Sequence, residues 1–266
     1  MNVPTYDCKL TLLGGFQLRT VSSWPLPPGA QRLLALLALN DDGAVDRSTA
    51  TECLWPDASR GRAAANLRSA LWRCKRVGTT TLIDCAGPRL CLAPQVRVDL
   101  QELLGHARRI VGTSGAPDEP AHREIITGLS RELLPSWSED WLLPERERWD
   151  QVRLHALETL ALQSLAAEDY LTALEVALAA IAVDSFRESA HRIVVKIHLA
   201  EGNSASAIKH YQWYRGLVQR ELGVMPSRQM DELIESCTSV WTRPRTPLGK
   251  DRSVVGSPHC GRAWSA

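Results

Sequence analysis

The chain has 266 residues, room for two ordinary domains, and 44% hydrophobic with 23% charged residues is the balance of a soluble globular protein. The formal net charge of +1 conceals an uneven distribution. Residues 1–98 carry 12 Lys/Arg against 7 Asp/Glu, residues 99–242 carry 14 against 22, and residues 243–266 carry 5 against 1. A basic first third beside an acidic middle fits a nucleic-acid-binding domain joined to a protein-interaction domain.

Residues 8–19 read as two short strands, because Leu10 and Leu12, then Phe16 and Leu18, alternate at period two around Gly14-Gly15. Pro25, Pro27 and Pro28 mark a loop, and a leucine-rich stripe predicts a helix over about 29–39. Asp46 can cap a second helix over 47–54, and Ser59 a third over 60–76. That third helix buries Ala63, Ala64, Leu67, Ala70, Leu71 and Cys74 on one face if it has the ordinary period. The opposite face then holds Arg62, Ala65, Ser69, Trp72, Arg73 and Arg76, flanked by Arg68 and Lys75, with no carboxylate. An acid-free basic face suggests a polyanion as partner. After it, TLIDC and RLCLA around a Gly-Pro turn predict a β-hairpin with Arg89 near its tip. Strands, three helices and a hairpin make a winged helix-turn-helix, whose third helix enters the major groove.

From Asp99 the pattern is helical: about 99–112, 121–127, 144–166, 168–182, 186–200, 203–221 and 227–239. Segments 165–174 and 199–208 align at an offset of 34, the helix–turn–helix period of tetratricopeptide repeats, with Ala173 and Ala207 at equivalent packing positions. The fold class expected is therefore mainly α: a winged helix-turn-helix over 1–98, an all-α tetratricopeptide-like domain over 99–240, and a disordered tail over 241–266.

Chemistry of other kinds lacks its signatures. Seven cysteines, an odd number with no CxxC pair, read as reduced thiols and not as a metal site. There is no HExxH, P-loop or GxGxxG, so neither an enzyme, nor a metal, nor a cofactor is expected. No apolar run approaches the ~18 residues of a membrane span, and no signal-peptide pattern opens the chain, so a cytoplasmic protein without a membrane partner is expected. His191 and His198 stand too far apart for one metal and read as structural.

The pieces LTLLGGFQL, QRLLALLAL, LWPD, AAANLRSALWRCKR and VRVDL resemble the DNA-binding domain of the SARP family of bacterial transcriptional activators. Those proteins carry an OmpR-like winged helix followed by a bacterial transcriptional activation domain. The resemblance continues colinearly through LLPSWSEDWLLPERERWDQVRLHALETL, FRESAHRIVVKIHLAEGNSASAIKHY and RELGVMPS. One departure is Ser185, which stands where the family usually has proline. The resemblance implies binding of double-stranded promoter DNA at direct repeats and recruitment of RNA polymerase.

Within that reading, Arg62, Ser69 and Arg73 can reach base edges, while Arg68, Lys75 and Arg76 suit phosphates, and Asn66 can do either. Trp72 packs on the sugar-phosphate backbone or belongs to the core; Arg89 contacts backbone or minor groove, or is simply solvated. Trp137, Trp141 and Trp149, with Arg146 and Arg148, form a partner surface or, in the favoured reading, seal the first helices of the second domain. The helical domain is expected to mediate self-association as a homodimer or contact with the transcription machinery. The rival reading is a tetratricopeptide-like scaffold whose winged helix is degenerate.

Overall fold

The computed structural model describes residues 8–20, 25–40, 43–74, 76–77, 80–112 and 119–241. Strands β1 (Cys8–Thr11) and β2 (Gln17–Thr20) pair antiparallel across the Gly14-Gly15 turn. Both glycines have positive φ, +80° and +138°, which is what this turn requires of its residues. Three helices follow, α1 (Pro28–Leu39), α2 (Arg47–Leu54) after the short β3 (Val45–Asp46), and α3 (Arg60–Cys74). Then come β4 (Arg76–Val77), β5 (Thr80–Thr81), and the hairpin of β6 (Ile83–Ala86) and β7 (Arg89–Leu92). Finally β8 (Val96–Val98) returns to pair parallel with β1, closing a sheet of order β2-β1-β8.

The predicted helices and hairpin are present, with three differences. The third helix stops at Cys74 instead of running to 76, so Arg76 opens β4, which pairs with β5. Strands β3, β4, β5 and β8 add two- and three-residue pairings too short to carry a period-two signal. Asp46 stands at the N-cap of α2 but its side chain makes no capping bond. The first amide of the helix is satisfied from the wing, where Arg47 N–H donates to the Pro88 carbonyl at 3.2 Å.

The helical part begins with α4 (Asp99–Gly112) and α5 (Glu119–Leu129), then a single 3-10 turn at Asp140–Leu142. It continues with α6 (Leu143–Ala166), α7 (Tyr170–Val183), α8 (Glu188–Ala200), α9 (Ser204–Leu222) and α10 (Arg228–Trp241). Pro144 sits in the first turn of α6, where a missing N–H costs nothing. The 34-residue offset is a structural repeat. Glu168 (φ +60°) and Gly202 (φ +77°) occupy the same left-handed position, and Asp169 N–H and Asn203 N–H donate to Ser164 and His198 carbonyls at 3.0 and 2.7 Å. Ala173 and Ala207 are both wholly buried where the paired helices approach. Gly223, at φ +69°, ends α9 in a left-handed cap. The tail expected from residue 241 lies outside the described residues, apart from Trp241 at the end of α10.

One apolar core runs from β1 through α1 and α3 into α4, α6, α7 and α8, so the two parts of the chain share it. A seam of polar contacts reinforces the junction. The Asp99 carboxylate accepts from Leu12 N–H (2.9 Å), Leu13 N–H (3.2 Å) and Leu100 N–H (2.8 Å). Leu13 bridges to Leu133, Gly14 N–H donates to the Glu132 carbonyl (2.7 Å), and Leu134 N–H donates to the Leu12 carbonyl (3.0 Å). Arg32 pairs with Glu139 at 2.6 Å, and Phe16 stacks on Trp137. The thiols of Cys8 and Cys74 belong to this core, and burial pushes them up to about 11 and about 12. Both stay protonated and act as small hydrophobes.

Candidate nucleic-acid interface

Helix α3 has the rotational phase its sequence predicts. Ala63, Leu67, Ala70, Leu71 and Cys74 are buried against α1 and α2, while Arg62, Ala65, Arg68, Ser69, Trp72 and Arg73 are exposed. Asn66 and Ala64 are half-buried at the edges. The cause is the spacing of alanine and leucine at three and four residues, which allows one stripe only to face the core. The first turn of α3 carries Arg60 and Arg62 and no acid. Cations there oppose the helix dipole, an unfavourable placement unless an anion approaches the same end. Arg60 was not among the residues singled out from the sequence; this inversion of the usual first-turn charge is the signal that could have found it.

From Arg62 to Arg73 the exposed face spans about 16 Å at 1.5 Å per residue. At its far end Trp72 is 75% exposed, and the Arg73 guanidinium lies 5.0 Å from the Trp72 ring centroid. That answers the alternative left open at this position: the indole is not core. The cation–π contact stiffens both side chains at the surface, where each can meet a sugar-phosphate backbone. Lys75 lies outside the described residues, and of Arg76 only the strand backbone is described. The correction to Arg76 is its setting: it does not extend the helical face, because the helix has ended.

The wing packs close to α2. β7 pairs with β3, and Arg89 donates through Nη2 to the Ala44 carbonyl at 3.1 Å. Arg89 is thus exposed yet partly committed to holding the hairpin against the loop before β3. The six predicted site residues that lie on α3, Arg62, Asn66, Arg68, Ser69, Trp72 and Arg73, are brought to one surface; Arg89 stands apart from them on the wing.

In the helical part, the tryptophans follow the favoured sealing role. Trp149 is buried and donates from Nε1 to the Arg131 carbonyl at 3.0 Å, and Trp137 stacks on Phe16. Arg146 donates to the carbonyls of Leu133 (3.0 Å), Leu134 and Trp137 (2.6 Å), which makes it a clamp on the segment before α6. That clamp holds Leu134 at φ +45°, a conformation unfavourable to a residue with a Cβ. His191 is buried between the Ser185 carbonyl (3.0 Å from Nε2) and His210 Nε2 (3.0 Å from Nδ1) and stacks on Tyr214. Burial, with His191 alongside, pulls His210 down to about 4, so this pair is neutral packing at physiological pH.

Among the described residues no helix is long and apolar enough to cross a membrane, and no cluster of His, Cys, Asp and Glu could hold a metal ion. No curated protein matches the sequence. Among solved structures the fold is similar to Mycobacterium tuberculosis EmbR, determined in complex with a low-affinity phosphopeptide, at 16% identity and a TM-score of 0.70. The match covers 88% of this chain and 65% of the EmbR chain, so this chain spans less than two thirds of that protein's length. The family model of the bacterial transcriptional activator domain matches residues 127–237, the segment from α5 to α10. Residues 127–237, set behind a winged helix, thus match the bacterial transcriptional activator domain, and the likeness to EmbR is one of fold.

Proposed function

We propose that the chain binds double-stranded promoter DNA through α3 and recruits RNA polymerase to activate transcription in the cytoplasm. The observation that carries this reading is the exposed, acid-free basic face of α3 beside a hairpin wing. In it, Arg62, Ser69 and Arg73 read base edges, and Arg68 anchors phosphate with Lys75 and Arg76. Asn66 serves either purpose, Trp72 packs on the sugar-phosphate backbone, and Arg89 braces the wing beside it. The functional units are residues 1–98 for DNA and 99–240 for partner contact, followed by the tail 241–266. Direct repeats in the target would be filled by two copies of the chain, associated through the helical part.

The test is titration of the full chain with its selected operator and with random duplex at several salt concentrations. Arg73→Ala is expected to cost about 1–3 kcal/mol on the operator and much less on random DNA. Arg68→Ala is expected to weaken both about equally and lower the salt slope by about one. A folded chain that no duplex retains at low salt would sink this reading and leave the scaffold in its place.

A further inference from the structure

A cleft of substantial size lies away from α3. It lies on the seam, about 860 Å³, between β1 on one side and α4, α5 and the Arg131 turn on the other. Its floor is apolar: Leu13, Leu103 and Ile125 are buried residues that show part of their surface to it. Gly128 lets that floor close up, since a Cβ there would stand 2.8 Å from Leu103 Cδ2.

Three cations from different elements line the cleft: Lys9 of β1, which also attracts the Asp99 carboxylate, Arg123 of α5 and Arg131 beyond it. None of the three forms a salt bridge with any described residue. The carboxylates nearby are mostly engaged. Asp99 is held by three backbone amides, and Glu102 is paired with Arg97; Glu124 alone stands uncommitted. His106 faces the same space, and Arg109 Nη2 donates to its Nδ1 at 3.0 Å, which leaves the imidazole proton on Nε2 as a further donor. Arg131 is pre-positioned: its Cδ packs 3.6 Å from where a Gly14 Cβ would be, and its carbonyl is fixed by Trp149. An apolar floor with a few convergent cations is the make-up of a small-molecule site, and guanidinium forks match carboxylate and phosphate.

We propose that this cleft binds a small organic anion, a phosphate or carboxylate carried on an apolar body, as an effector of the regulator. The cations hold the charged end and the leucines the body. Lys9 and Leu13 come from the β1 side and the rest of the lining from the helical part, so the ligand tightens the seam and alters DNA affinity. That regulatory half rests on the proposed DNA binding; the occupancy of the cleft does not.

Calorimetry on the full chain tests occupancy with phenyl phosphate, phenylacetate and the uncharged control benzyl alcohol. At least one of the two anions should bind saturably below about 10 mM and benzyl alcohol should not, the stronger anion telling which head group the site prefers. Arg123→Gln/Arg131→Gln should weaken that binding about tenfold or more, while Arg62→Gln/Arg73→Gln on α3 should leave it unchanged. If circular dichroism finds the first pair unfolded, Lys9→Gln replaces it, with at least about a threefold loss expected. No saturable heat from either anion, or a loss produced by the α3 pair and not by the cleft variant, overturns the site. The stronger anion should also shift the dissociation constant for the operator at least about threefold; intact calorimetric binding with no such shift overturns the regulatory half.

Discussion

Replacing Asp99 tests whether the seam is a fixed structural element. The carboxylate takes three backbone amides, two of them from Leu12 and Leu13, which are 0% and 4% exposed. Asp99→Ala removes the side-chain acceptor of those two amides. Each orphaned amide costs about 1–3 kcal/mol, and recovery of the carboxylate's own desolvation returns part of this, so a net loss of about 3 kcal/mol is expected. For a chain of this size that lowers Tm by roughly 6–12 °C in thermal melts followed by circular dichroism. Asp99→Asn keeps one acceptor oxygen and should fall about midway. The pH dependence follows from the same burial, which raises the Asp99 pKa above its usual 3.8 despite the amides. Ionisation is therefore less favourable in the folded chain. The advantage of wild type over Asp99→Asn should be fullest below about pH 4 and shrink as pH rises through the raised value. A Tm for Asp99→Ala within about 2 °C of wild type would refute the reasoning, because the amides would then have found other partners.

Glu158 works in the opposite sense. Burial alone would raise it, but Arg187, bidentate at 2.7 and 3.0 Å, and Ser189 hold its carboxyl below the usual range. Glu158→Gln should cost about 2 kcal/mol in denaturant unfolding at pH 7, and the difference from wild type should fade as pH drops below the unfolded value of 4.5 and through the lowered one. A difference unchanged down to pH 3 would count against the pairing. Trp72→Ala removes an indole that is 75% exposed, so stability should change by no more than about 0.5 kcal/mol, while affinity for operator DNA falls about threefold or more in anisotropy titrations. A large drop in Tm would mean the ring packs after all. Glu168→Gly places glycine where the following repeat already has it, at φ +60°, and should raise stability by about 0.5 kcal/mol in the same melts. A lower Tm would show that the Glu168 side chain holds the turn.

The parts of this molecule that were legible from sequence are those that repeat locally. The stripe of Ala63, Leu67, Ala70, Leu71 and Cys74 gave the phase of α3, and thereby which arginines face outward. The offset of 34 residues found the helix pairs, because packing demands small residues at Ala173 and Ala207. The seam was not legible. Asp99 meets Leu12 across 87 residues of chain, and nothing near either residue marks the contact. The same holds for β8, whose three residues reveal their role only once β1 lies beside them. Trp72 could not be assigned because an indole on a helix edge is core or surface according to what stands opposite. Arg89 looked like a free turn arginine until Ala44 was brought near by the β3–β7 pairing. For the cleft, the cations come from three elements with no common spacing.

The continuity of the core bears on how the proposed function would work. Phe16 on Trp137, Arg32 on Glu139, Gln101 on the Ala38 carbonyl and the Leu13–Leu133 bridge cross the junction at separate points. A hinge would need all of them to give way together, and each lies on an element that also packs into the shared core. The helical repeats are therefore fixed in position relative to α3. On the proposed reading, the register of α3 in the groove then sets where every surface of α6 to α10 stands along the promoter. A partner meets a surface already oriented, without the conformational search a flexible tether would impose. On the same reading the seam is the natural point of control, because with every other contact fixed only a change of fit there could move α3 relative to those surfaces without unfolding either.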